Sequence, residues 1–144
     1  MITVKNILQE KGKQVWYVTP DTKVYDALQI MADKNIGAVL VMNNKKVEGI
    51  FSERDYARKV ALEGRSSKEL PVKEIMSSSV LYVNSIRNAD ECMALMINKR
   101  VRHLPVFEND ELQGLISIGD VVKAILDDKE YMIDQLEQYI TNGR

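Results

Sequence analysis

The sequence is poor in the residues that build disulfides, metal clusters and membrane spans: it has one cysteine, one histidine and no long apolar run. The single Cys92 excludes an intramolecular disulfide framework and suits a reducing compartment. One histidine and one cysteine leave no His/Cys metal cluster and no Cys–His nucleophile pair with members to spare. No apolar stretch approaches the roughly 18 residues that a membrane span needs, and residues 1–15 are too polar for a signal peptide. The expected location is therefore cytoplasmic, without a membrane partner.

The sequence also has no excess of charge of either sign. The formal net charge is −1 over 144 residues, so no basic field indicates nucleic acid as a partner. The apolar fraction of 45% and the charged fraction of 28% are typical of an ordinary globular protein. The length fits one domain or two small fused units.

What the sequence does contain is an internal repeat. Residues 18–61 align with residues 83–126 at an offset of 65 without a gap, and the apolar pattern is kept between the copies. The clearest shared motif runs from Gly49 to Asp55 and again from Gly114 to Asp120: a glycine and two apolar residues precede Ser-x-x-Asp. A short segment of similar sequence precedes each copy, at residues 4–8 and 72–76. The chain is therefore interpreted as two copies of one unit.

Each copy reads as strand, helix, strand, strand, helix. In the first copy, Asp21 or Thr22 is expected to cap the first helix, and Gly37 is expected either to end that helix or to lie in the loop after it. The apolar spacing and turn residues predict strands at 16–18, 38–42 and 47–51 and a helix at 53–62, then strands at 104–107 and 112–116 and a helix at 118–127. An amphipathic helix follows over 128–140, and its apolar side either covers a partner surface or folds back on its own domain.

One copy of about 45–60 residues is small for an independent core, so the two are expected to pack as a pseudo-twofold pair with a cleft at each seam. The Ser-x-x-Asp motif has two interpretations. In the first it is only a helix cap, with the serine at the N-cap and the acid three residues on. In the second, its place at a strand-to-helix turn makes it a ligand site, where a carboxylate can accept one hydrogen bond on each oxygen from a ribose diol.

On the paired motifs, together with Val101–Val106 (VRHLPV) and Val72–Met76 (VKEIM), the chain resembles a stand-alone tandem pair of cystathionine-β-synthase (CBS) domains. The resemblance implies an α+β fold in which two pseudo-symmetric β-α-β-β-α CBS repeats pack as one Bateman-type module. The expected divisions are 1–65 for the first repeat with its N-terminal segment, 66–127 for the second repeat, and 128–144 for the C-terminal amphipathic helix.

The resemblance also implies the ligand and its contacts. Adenosine compounds are expected: AMP, ADP or ATP, and NAD or NADH in the subgroup that this chain is most like, with no required cofactor. Asp55 and Asp120 would hold the ribose, and Ser52 and Ser117 would line the phosphate side. Each cleft would be completed by the other repeat. The residues expected around Asp55 are Arg54, Arg102, His103, Pro105, Val83 and Asn84, and those expected around Asp120 are Thr19, Gly37, Ala38 and Val39.

Because Arg54, Arg102 and His103 are assigned to the Asp55 cleft, phosphate is expected to bind more tightly there than at the small, uncharged Asp120 cleft. Arg58 and Lys59 are expected on a solvated helix face. The resemblance implies a non-catalytic regulatory module that pairs into a homodimer and signals to an unidentified regulated protein. The alternatives are a scaffold whose Ser-x-x-Asp motifs are only helix caps, and a sensor of S-adenosylmethionine. No base–nucleophile pair indicates an enzyme.

Overall fold

The computed structural model describes residues 1–142, so the last two residues of the predicted helix 128–144 lie outside the described part. The helices are α1 (Val4–Lys11), α2 (Val24–Lys34), α3 (Glu53–Tyr56), α4 (Ala89–Lys99) and α5 (Ile118–Asn142). The strands are β1 (Tyr17–Val18), β2 (Ala38–Asn43), β3 (Lys46–Ser52), β4 (His103–Glu108) and β5 (Glu111–Ser117). The fold is mixed α and β, as the repeat pattern predicts.

The chain divides into two compact units, which are described separately. The first unit is Gln14–Leu81, and the second unit combines Met1–Lys13 with the chain from Tyr82 onward. The N-terminal segment, which the sequence groups with the first repeat, therefore belongs to the unit that contains the second repeat. The boundaries 1–65 and 66–127 separate the two copies of the sequence repeat, whereas the compact units are groups of residues that pack together.

The first unit is a three-stranded sheet with α2 packed on it. β1 pairs with β2 in parallel, and β2 pairs with β3 in antiparallel register, with Ala38 opposite Ser52. The segment after the repeat completes this unit, because Ile50 and Ser77 exchange two backbone hydrogen bonds of 3.0 and 2.9 Å. Its core consists of Val18, Val24, Ala27, Met31, Val39, Val41, Phe51, Val60, Leu70, Val72 and Ile75.

The second unit also contains an antiparallel hairpin and a packed helix. Here the N-terminal segment supplies the backbone hydrogen bonds that complete the unit. β4 and β5 form an antiparallel hairpin in which His103 lies opposite Ser117. Val4 N donates to Arg87 O at 2.8 Å, and Ala89 N donates to Ile2 O at 2.9 Å. The buried apolar face of α1 is Val4, Ile7 and Leu8. Cys92 is 1% exposed on the buried face of α4, where it packs as a small core residue.

Both hairpins turn through two residues with positive φ. The pairs are Asn44 and Lys45 in one hairpin, and Asn109 and Asp110 in the other, with φ between 49° and 69°. This geometry matches the type I′ turn, whose twist suits antiparallel strands. Each hairpin also has a register shift at the same place, after Val41 and after Val106, so the copies share even their irregularities.

Two local predictions are wrong, and a third is decided between its two alternatives. Lys23, and not Asp21 or Thr22, is the N-cap of α2, and it makes no side-chain capping bond. Of the two expectations for Gly37, the loop position is confirmed, because the chain already leaves α2 at Asn35 in a left-handed conformation with φ 53° and Gly37 lies between α2 and β2. The second copy has no first strand in the described structure, since Val83 makes only an isolated parallel bridge to Val106.

The helices that follow the motifs differ from the prediction as well. The first is α3 of four residues, which continues as a π-helix over Ala57–Ala61. The second is α5, a single helix of 25 residues where two were expected. Residues 129–141 of α5 are exposed, so the interpretation in which this segment folds back on its own domain is wrong. No helix within residues 1–142 combines the length and apolar character needed to cross a bilayer.

The end of α4 gives a testable stability prediction. Arg100, the C-cap, has φ 55° and ψ 40°, in the left-handed region that costs a residue with a Cβ about 1 kcal/mol. We expect Arg100→Gly to raise the free energy of unfolding by about 0.5–1 kcal/mol, measured by urea denaturation. The matched control is Asn35→Gly at the equivalent C-cap of α2, where asparagine already tolerates this conformation. An equal or larger gain in the control would contradict the prediction.

Candidate functional site

The first motif forms a complete capping box at the turn from β3 to α3. Ser52 has an extended backbone, and its Oγ accepts a hydrogen bond from Asp55 N at 3.2 Å. In return, Asp55 Oδ2 accepts from Ser52 N and from Ser52 Oγ, both at 3.0 Å. The structure thus confirms that the first motif caps a helix. A carboxylate that caps a helix still has lone pairs for a ligand, so the cap alone does not decide between the two interpretations.

The Asp55 carboxylate has further partners that the sequence did not indicate. Lys59 Nζ lies 3.1 Å from Asp55 Oδ1, one helical turn along, and also donates to Ile75 O at 3.0 Å. Ser77 Oγ donates to Asp55 Oδ1 at 3.4 Å. The Lys59 side chain is 42% exposed, so it lies on a solvated face as predicted, but it also pairs with Asp55, as the i, i+4 spacing allows. The Asp55 side chain is 12% exposed.

The residues before β2 approach this turn within the same unit. Glu53 N donates to Gly37 O at 3.1 Å, and Ala38 is paired with Ser52 across the hairpin. A Cβ placed on Gly37 would lie 3.2 Å from Glu53 Oε1, so glycine permits a close approach at this point. A cavity of about 250 Å³ opens beside it. Its lining comprises Leu28, Met31, Ala32, Asn35, Ile36, Gly37 and Glu53.

The second motif repeats the cap at the turn from β5 to α5. Asp120 Oδ2 accepts from Ser117 N at 2.8 Å, and Ser117 Oγ accepts from Asp120 N at 3.1 Å. A cation from a different helix also reaches this carboxylate: Lys11 Nζ lies 2.6 Å from Asp120 Oδ2 and donates to Leu115 O at 2.7 Å. Burial alone would raise the pKa of Asp120, but hydrogen bonds from Lys11 and Ser117 and the charge of Lys11 outweigh it and lower the pKa.

His103 and Arg102 belong to the surroundings of Asp120 in the second unit. Ile118 N donates to Arg102 O at 2.8 Å, as Glu53 N does to Gly37 O in the first unit. Burial is the main cause that lowers the pKa of His103 to about 4, with the charges of Lys11 and Arg102 acting in the same direction. The charge of Asp120 opposes this shift. His103 is therefore neutral at pH 7 and adds no positive charge to the surroundings of Asp120.

The remaining candidate residues lie away from the motif of their own unit. Val83 is bridged to Val106, and Asn84 precedes Ser85, whose N–H donates to Glu108 at 2.7 Å. Glu108 is paired at the turn end of the hairpin, about 17 Å along the strand from the His103 pair. A cavity of about 270 Å³ at this end is lined by Tyr82, Val83, Asn84, Arg87, Phe107, Asn109 and Asp110. Both cavities are small beside typical ligand pockets of about 300–1,000 Å³.

Among the other candidates, Thr19 is hydrogen-bonded to Thr22, and Arg54 is exposed. Val39 is 0% exposed, so its side chain belongs to the core. Pro105 is also buried, and its carbonyl accepts from Val83 N at 3.0 Å. The structure thus brings together Gly37, Ala38, Ser52 and Asp55 in the first unit, and Arg102, His103, Ser117 and Asp120 in the second. The expected completion of each site by the other repeat stays a prediction.

Two hairpin-and-helix units, each with a capped acidic residue at the same strand-to-helix turn, define a tandem-repeat module. The family model "CBS domain" matches residues 4–62 and 72–127, and the chain belongs to this family. A solved CBS-domain protein from Burkholderia ambifaria MC40-6 is 50% identical, covers 88% of this chain and 95% of its own, and has a TM-score of 0.84. The CBS domain-containing protein CBSX3, mitochondrial, from Arabidopsis thaliana is 36% identical over 98% of this chain and 73% of its own length.

A second similar structure contains adenosine compounds. The CBS domain pair of protein MJ0100 was solved in complex with 5′-methylthioadenosine and S-adenosyl-L-methionine. It is 19% identical, covers 89% of this chain and 98% of its own, and has a TM-score of 0.77. At this identity the likeness concerns the fold.

Proposed function

We propose that this CBS-domain pair is a non-catalytic regulatory module that binds adenosine nucleotides through the carboxylates of Asp55 and Asp120. The ligand class comprises AMP, ADP and ATP, and extends to NAD(H). The observation that carries the proposal is the duplication of a partly buried carboxylate at equivalent strand-to-helix turns, beside a serine and the N-terminus of a helix. This combination suits a ribose diol and a neighbouring anion. The two compounds bound by MJ0100 carry an adenosine moiety without a phosphate, so they support the adenosine part of the proposed ligand.

Isothermal titration with adenosine, AMP, ATP, NADH and S-adenosylmethionine, with GTP as a negative control, tests the proposal. At a concentration one hundred times Kd, a ligand that binds only the folded state should add about 2.7 kcal/mol to the free energy of unfolding. A thermal-shift assay measures the same effect. Failure of every adenosine compound to bind would overturn the proposal.

The matched variants are Asp55→Asn and Asp120→Asn, alone and combined. Asparagine keeps the size of the side chain and one oxygen for the cap, but it removes the negative charge and one acceptor for the diol. We expect each change to weaken binding at its own site at least tenfold, which is about 1.4 kcal/mol. Unchanged nucleotide binding in the double variant would contradict the assignment. Loss of folding without any ligand effect in the wild type would favour the scaffold alternative.

The same titration distinguishes a nucleotide sensor from a sensor of S-adenosylmethionine. A sensor of S-adenosylmethionine should bind that compound at least tenfold more tightly than AMP, whereas a nucleotide sensor should show the reverse order. The stronger phosphate site expected at Asp55 is part of this proposal. Comparison of AMP affinities in the two single variants tests it.

We also propose that the module acts as a homodimer that passes its signal to a regulated protein. The exposed apolar row of α5 supports an association surface: Met132, Ile133, Leu136, Tyr139 and Ile140 are each more than half exposed. Light scattering should give twice the chain mass of 16.4 kDa. Removal of residues 128–144 tests whether α5 takes part. The cytoplasmic location also stays a proposal, which fractionation of cells would test.

A further inference from the structure

Lys11 makes an ion pair with Asp120 from a separate helix, whereas the cation beside Asp55 comes from the same helical segment. Lys11 Nζ lies 2.6 Å from Asp120 Oδ2 and 2.7 Å from Leu115 O, although 109 positions separate Lys11 from Asp120 in the sequence. The contact exists because α1 completes the second unit and ends beside β5. Lys11 is the last residue of α1, and its side chain is 36% exposed. The pair is therefore at the surface of the unit, where a ligand can compete for it.

Both strong contacts of the Asp120 carboxylate use the same oxygen. Oδ2 accepts from Ser117 N at 2.8 Å and from Lys11 Nζ at 2.6 Å. Within residues 1–142, no hydrogen bond is found to Oδ1. A ribose diol needs one lone pair on each oxygen, so a bound sugar would have to share or displace the Lys11 contact at Oδ2. A lysine side chain can leave without moving its helix, because four rotatable bonds separate Nζ from the backbone.

Asp55 is held differently. Its cation is Lys59, one turn further on the same helical segment, at 3.1 Å from Oδ1. Lys59 is also tied to Ile75 O at 3.0 Å, so its position is fixed within its own unit. The two carboxylates therefore differ in the origin of their cation: a neighbour on the same segment for Asp55, and the end of a separate helix for Asp120.

We propose that Lys11 is a latch on Asp120 that makes this site selective for phosphorylated ligands. The inference rests on the proposed function, since it assumes that Asp120 binds ribose. An uncharged nucleoside would have to break the ion pair and would leave an ammonium group without its anion. A nucleotide supplies a phosphate as a second anion with which Nζ can pair when it leaves Asp120, so Nζ exchanges one anionic partner for another. Lys11 is thus a specificity-determining residue, and its ligand class is ribonucleoside phosphates.

The test isolates the Asp120 site in an Asp55→Asn background and compares AMP with adenosine by titration calorimetry. With Lys11 intact, AMP should bind at least tenfold more tightly than adenosine. In Lys11→Met we expect adenosine to bind more tightly and AMP to bind about tenfold less tightly, so that the preference for AMP disappears. Lys11→Arg keeps the charge and should retain the preference within about threefold.

The matched control is Lys123→Met in the same unit. Lys123 is also an exposed lysine in ion pairs, with Glu10 at 3.2 Å and Asp127 at 2.8 Å, but it does not contact Asp120. Its removal should leave the ratio of AMP to adenosine affinity unchanged within about twofold. An unchanged ratio in Lys11→Met, with both ligands still bound, would overturn the latch while leaving the proposed function intact. If neither ligand binds while Asp120 and Lys11 are both present, the proposed function fails at this site, and the latch fails with it.

Discussion

Replacing Gly49 with alanine should destabilise the first unit by about 1–3 kcal/mol. A Cβ at this position would lie 2.6 Å from Met76 Sδ and 2.8 Å from Ser77 O, both closer than van der Waals contact permits. The methionine side chain can move aside, but Ser77 O cannot move cheaply. It accepts a 3.0 Å hydrogen bond from Ile50 N, directly beside the substituted residue. The change should appear as a lower urea midpoint with an unchanged slope.

Gly114→Ala is the matched control, because Gly114 occupies the same place in the second repeat. A Cβ there would meet Leu8 Cδ2 at 2.7 Å, and the other two nearest atoms also belong to the Leu8 side chain. The far end of a leucine can rotate, so we expect a cost below about 1 kcal/mol. A control that is as destabilised as Gly49→Ala would show that backbone contact is not the cause.

The hairpins and their repetition could be predicted from the sequence because their determinants are local. A continuous apolar run predicts the buried strand 38–42, and the polar pairs between strands predict the turns. The observed β2 and β3 extend each predicted strand by one residue at one end or both. Helix ends were less predictable. Asn35 and Arg100 end α2 and α4 in the left-handed conformation, where the sequence rule favoured Gly37.

The completion of each unit could not be predicted, because periodicity carries no information about distant partners. Residues 4–8 and 72–76 look alike, but nothing in their pattern states which repeat each one covers. Lys11 and Ser77 were missed as neighbours of the two acidic residues for this reason. The length of α5 was predicted wrongly for a different reason, because two helices were expected where one is found. Residues 127 and 128 are both aspartate, which is unfavourable in helices, yet neither glycine nor proline is present there to break the helix.

Acidification from pH 7 to pH 5 should destabilise the protein by about 2 kcal/mol through His103. The pKa of this residue is about 4 in the folded protein against an ordinary value of 6.5. Between these two values the unfolded chain binds a proton that the folded protein rejects, so stability rises with pH across the window and falls on acidification. Well above pH 6.5 both states are neutral, and the contribution is fully present.

His103 is the only histidine, so the slope between pH 7 and pH 5.5 mainly reports this residue. The groups that face it are Lys11 of α1, Arg102 on its own segment and Asp120 of α5. The lowered pKa of Asp120 moves the titration of that carboxylate further below the window. Urea denaturation of wild type and His103→Gln across this range is the measurement, and the variant should lose most of the slope. A slope that survives in His103→Gln would assign the pH dependence to carboxylates, because burial of a neutral imidazole would then contribute little to the acid sensitivity of the fold.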